Sequence, residues 1–151
     1  MKATLTALTV AATMFASSAS AFDPADLKNL LDTNECVRCD LQEAFLPNTS
    51  LNSADLRSAI LYKANLSGAY LRDANLSGTT LRDANLIGAD LSGANLSGAI
   101  LSGADLFTTN LKGADLSGAN LSDATLDYAI MNSVILCNTM MPDGSVIYSG
   151  C

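Results

Sequence analysis

Leu71 to Leu106 read LRDAN LSGTT LRDAN LIGAD LSGAN LSGAI LSGAD L. Every fifth residue is leucine. Two residues before each leucine sits Ala or Thr, and the residue between them is mostly Asp or Asn. A polar residue and often Gly follow, as in Ser77-Gly78 and Ser97-Gly98. The spacing holds outward in both directions. Leucine recurs without a break from Leu41 to Leu126, and Met131, Leu136 and Met141 continue it. The small residue runs from Ala54 to Ala129, with Thr79 and Thr109 standing in for Ala.

A period of five fits neither regular element. On a helix, successive leucines would spiral around every face. On a flat strand they would alternate between faces. The pattern therefore needs a bend inside each unit, which Gly, Asn and Asp tolerate. Leucine and the small residue, two apart, then point to one side of a short extended piece. One such unit cannot bury its own leucine, but stacked units can.

These residues resemble the pentapeptide-repeat family, whose pattern is A-(D/N)-L-x-x, from Leu41 to about Leu136. The resemblance implies an all-β fold, a right-handed quadrilateral β-helix in which four units make one square coil. Residues twenty apart then stack, so Leu56, Leu76, Leu96, Leu116 and Leu136 form one interior column. Five coils at about 4.8 Å make a rod roughly 24 Å long. Asn75 over Asn95 and Asn65 over Asn85 are expected to form amide ladders outside.

Four segments are expected. Residues 1–21 carry Lys2, a short apolar stretch and Ala19-Ser20-Ala21, an A-x-A cleavage site of an export signal. Residues 22–40 form an N-terminal helical cap, with Asp23 at the N-cap, Pro24 at the first helical position and Phe22 stapled to Leu27. Leu27, Leu30 and Leu31 are its apolar face. Residues 41–136 are the solenoid. Residues 137–151 close the far end, where Pro142-Asp143-Gly144 is a turn and Val146, Ile147 and Tyr148 can cross the last coil. The CxxCDL start (Cys36, Cys39, Asp40, Leu41) and the ending C-x-T-x-M-P-D-G with terminal Gly-Cys resemble exported members of the family from cyanobacteria and other bacteria. Export implies the periplasm, or the thylakoid lumen in a cyanobacterium.

Four cysteines, an even number, suit an oxidising compartment. The economical pairing is Cys137 with Cys151 and Cys36 with Cys39. Two alternatives stand beside it. A four-cysteine zinc site needs the two pairs together, whereas the rod holds them at opposite ends. A thiol–disulfide centre at Cys36 and Cys39 needs an accessible thiol, whereas the repeat register points both inward.

The chain has no His, hence no Ser-His or Cys-His arrangement, and no phosphate-binding glycine loop. A non-enzymatic protein without cofactor or metal is expected. Fifteen acidic residues against eight basic give a net charge of −7, which excludes direct nucleic-acid binding. The export signal's apolar stretch is too short and too Thr-rich to span a bilayer, and no second apolar run follows it. Ile60, Tyr62 and Ile100 on one outward face, and Ile87 and Phe107 on the next, replace polar residues and form a candidate surface for a protein partner or a second copy. Some cytosolic members of the resembled family bind DNA gyrase as acidic DNA mimics. Here Leu41 to Leu136 carries nine acids and five bases, against roughly 14 phosphates on duplex DNA of that length.

Overall fold

The computed structural model describes residues 21–151. The expected export segment therefore lies outside the described residues, except for Ala21. The chain winds as a right-handed quadrilateral β-helix. Parallel bridges join residues at a constant offset of twenty, from Glu35↔Asp55 to Asn120↔Met140. The ladder thus begins before Leu41 and runs past Leu136. Cys36 takes a leucine's interior place at one end, and the strand Leu136–Met140 continues the last coil at the other.

Each corner is a four-residue turn. The N–H of the small residue donates to the leucine carbonyl three back, as from Ala74 to Leu71 at 3.1 Å. The second residue after each leucine has positive φ, +65° at Gly78 and +56° at Asp83, the sign a type II turn requires at that place. Between corners a regular row of backbone bonds joins each coil to the next. The Leu66 N–H donates to the Asn85 carbonyl at 2.7 Å, and the Asn85 N–H to the Ala64 carbonyl at 2.9 Å. Every leucine from Leu41 to Leu121 is buried. Each contributes on the order of 1.5–3 kcal/mol of transfer free energy. Thr79, Thr109 and Thr139 are buried at the alanine position. Their hydroxyls donate to the carbonyls of Leu76, Leu86 and Leu116, each at 2.7 Å, and among the described residues no buried side-chain polar atom lacks a partner.

The asparagines do not form amide ladders as their main contact. Asn65, Asn75, Asn85 and Asn95 each turn Oδ1 back to accept the N–H two residues on, at 2.9–3.2 Å. This Asx geometry fixes the corner that follows, a local bond that the expected stack would have left unmade.

The N-terminal end is sealed. Helix α1, Pro24–Thr33, starts with the Asp23 carboxylate accepting the Ala25 N–H at 2.8 Å, and ends at Asn34 with φ +63°. Its first turn is tied to the first coil through both backbone groups of Asp40. The Asp40 N–H donates to Asp26 Oδ2 at 2.8 Å, and its carbonyl accepts from the Asp23 N–H at 3.0 Å. Leu27 and Leu30 pack on the coil. Leu31 does not join them. It is 43% exposed, because residues one apart on a helix lie about 100° apart and only one of the two can face the rod.

The C-terminal end is not closed as expected. β1 (Leu136–Met140) pairs antiparallel with β2 (Val146–Ser149), with a bulge between Cys137 and Thr139. Residues 146–148 thus form a hairpin along the last coil rather than a lid across it. Leu126, Met131, Val134, Leu136 and Met141 stay only partly buried.

Candidate interaction surfaces

The four outer faces take their character from the residues flanking each leucine. On the face of Leu61 and Leu101, Ile60, Thr80, Ile100 and Asn120 form one bridged column, with Ile60 and Ile100 exposed. Tyr62 lies beside that column but is only half-exposed. The Lys63 ammonium sits 5.2 Å from its ring centroid, a cation–π contact.

The next face carries Ile87 and Phe107, one above the other and both exposed. Tyr128 joins them. Its ring meets Phe107 edge-on, with centroids 5.5 Å apart and planes at 81°. Tyr128 is 80% exposed and was not among the residues singled out from the sequence. Its signal was present: an aromatic at the positive-φ corner, +59°, where Gly or a small polar residue is usual. Phe45 and Tyr70 are likewise half-exposed at positions where Asp or Asn normally stands.

The third face holds a shallow polar groove of about 520 Å³ between Arg72 and Lys112. Asp90 organises it. The carboxylate accepts from Ser92 Oγ at 2.7 Å and Asn110 Nδ2 at 3.1 Å, with Arg72 Nε at 3.8 Å. The fourth face is polar, built from Asn75, Asn95 and Asp115 beside Ser77, Ser97 and Ser117. At its N-terminal edge Arg57 grips Asp55 with two bonds of 2.6 and 2.8 Å. That hydrogen bonding holds the Asp55 carboxyl below the usual carboxylate range.

Both cysteine pairs are bridged, Cys36 to Cys39 and Cys137 to Cys151, with Cα atoms 5.3 and 4.8 Å apart. Cys36 and Cys39 are buried under α1, where an incoming thiolate has no line of approach. Among the described residues no group of three or more His, Cys, Asp or Glu is placed to hold a metal ion, and no helix is long and apolar enough to cross a membrane.

A family model described as pentapeptide repeats matches in eight copies, over residues 35–73, 69–106 and 104–140. No curated protein matches. Solved structures of similar fold include the following three. A pentapeptide repeat protein from the cyanobacterium Cyanothece 51142 is 29% identical, with 73% of this chain and 92% of that one covered and a TM-score of 0.45. A pentapeptide repeat protein from the Arabidopsis thaliana thylakoid lumen is 30% identical, with 73% and 70% covered and a TM-score of 0.42. QnrB1, a plasmid-mediated fluoroquinolone resistance protein, is 22% identical in a trypsin-treated variant, with 72% and 61% covered and a TM-score of 0.36.

Proposed function

The chain belongs to the pentapeptide-repeat family, and on that premise we propose that it is an exported, non-enzymatic interaction module whose rod presents a surface to a protein partner. The observation that carries this reading is the exposed apolar column of Ile87 and Phe107, extended by the edge-on ring of Tyr128. An exposed aromatic pair loses solvent contact only when something covers it, and aromatic side chains dominate binding energy where they are buried at an interface. Export is supported by the A-x-A segment ending at Ala21 and by four cysteines in two bridges.

The test replaces Ile87 and Phe107 with Asp and measures what co-purifies from the native envelope. Loss of a partner, with the rod's circular dichroism unchanged, is expected. Unchanged recovery removes this face from the proposal.

The DNA-mimic reading is less favoured by the charge pattern. Arg57, Arg72 and Arg82 lie within 4 Å of Asp55, Asp90 and Asp83, so bases interrupt the acidic columns that phosphate mimicry needs. Gyrase supercoiling is expected to be insensitive to the protein. Inhibition at micromolar concentration would restore that reading.

A further inference from the structure

Three features coincide at the C-terminal end of the rod. First, the backbone edge of the Leu126 face is open. In every earlier coil of this face the leucine N–H and the N–H two residues on donate to the coil above, as from Leu106 to Thr125 at 2.9 Å and from Thr108 to Asp127 at 3.0 Å. Leu126 and Tyr128 have no coil above, and among the described residues their N–H groups meet no acceptor. The Ala124 carbonyl, which would accept from the next coil, likewise has no donor among the described residues. The hairpin of β1 and β2 runs along other faces and is bridged back to Cys137, so it leaves this edge uncovered. Second, the interior beside the edge is apolar and half-open at Leu126, Met131 and Val134. Third, the rim is acidic. No Lys or Arg follows Lys112, whereas Asp123, Asp127 and Asp143 stand at or next to this face.

From these we infer that the C-terminal end is a docking edge for an extended segment of a partner protein, one that alternates apolar and basic residues. The segment adds to the edge as a further strand. Its carbonyls take the Leu126 and Tyr128 N–H groups, its apolar side chains lie over Met131 and Val134, and its basic side chains meet the aspartates. A second copy of this chain fits less well, because it would bring acid against acid. The inference rests on the interaction reading above and gives the partner a chemistry.

The test is an NMR titration of the full, disulfide-bonded protein. The probe is a synthetic peptide of about ten residues alternating Val and Lys. A Val–Glu peptide is the control. The expected result is that the Val–Lys peptide shifts the Leu126 and Tyr128 amides and slows their exchange about tenfold, while the Val–Glu peptide does neither. The Asp123→Lys, Asp127→Lys double variant should reverse the preference. Should that variant misfold, the Asn pair at the same positions should abolish it. Absence of shifts, shifts confined to other faces, or equal response to both peptides would overturn the inference. So would concentration-dependent shifts at the same amides without peptide, which assign the edge to a second copy. The Ile87→Asp, Phe107→Asp protein separates the two proposals. Partner loss in that protein with a silent titration overturns the docking edge alone. A positive titration with unchanged partner recovery overturns the side face alone.

Discussion

At the scale of the residue, the corner position decides most. It demands positive φ, which costs an L-residue roughly 1–2 kcal/mol and glycine almost nothing. Gly98 has open space where a Cβ would be built, whereas a methyl at Gly93 would overlap the Asp73 carboxylate of the coil below. Gly98→Ala should therefore cost about 1 kcal/mol, the backbone term alone. Gly93→Ala should cost more, and chemical denaturation of the two variants checks the order. Thr108 runs the argument in reverse. It is β-branched at φ +56°, so Thr108→Gly should stabilise, by up to about 1 kcal/mol. At this scale the sequence was readable wherever a side chain obeys the period. Leu56 and Cys36 are interior because their spacing says so. Tyr128 escaped because a pattern search rewards conformity, and its message lies in departing from the pattern. The asparagines were legible as external but not in their bonding. A neighbour two residues away competes for Oδ1 with one twenty away, and the nearer wins.

At the scale of the element, the two caps differ in how they are fastened. Helix α1 is locked by Asp26, whose carboxylate takes the Asp40 N–H. Asp26→Ala leaves that N–H without its acceptor and should destabilise by about 1–3 kcal/mol, read as a lowered thermal midpoint. The cap was legible from Asp23-Pro24, but the idle side of Leu31 was not, since three leucines so close together do not reveal which two meet the coil. The far turn is fastened by Asp143, whose carboxylate accepts the Ser145 hydroxyl at 2.6 Å and the Ser145 N–H at 2.9 Å. The hydroxyl bond, the larger effect, draws the Asp143 carboxyl below the usual carboxylate range. Because the folded value is the lower one, the turn's added stability is present above the unfolded value and fades as pH falls through the folded one. Carboxyl-carbon titration by NMR should show a midpoint below that of an unstructured Asp, and Ser145→Ala should move it up. A midpoint unmoved by that substitution would contradict the assignment.

At the scale of the whole molecule, the constant offset of twenty makes the rod modular. Deleting residues 76–95 removes one full coil and returns every face to register, so the shortened protein should keep its fold with a modestly lower midpoint. Circular dichroism and the thermal midpoint check this. Reducing the Cys137–Cys151 bridge, which spans 14 residues, should cost about 3 kcal/mol and melt the last coil before the others. Export has its own check. Intact mass of the native protein, after blocking free thiols without reduction, should fit a chain starting at Phe22 with none blocked. The solenoid was legible at this scale because periodicity is a property of the entire string. Which end would be sealed was not, because both ends carry apolar residues and the period says nothing about where the chain folds back.

That modularity also has a mechanical meaning. Each coil is held to the next by a row of backbone bonds that part together, and the sealed end resists while the open end can start. Pulled by its termini, with the Cys137–Cys151 loop taken out of play by its own bridge, the rod should lengthen in equal increments. Each increment is the contour of one coil, about 66–72 Å for twenty residues, less the spacing of about 5 Å that it spanned when folded. A sawtooth of uniform teeth would make the molecule a graduated extensible spring, paying out chain from one end only.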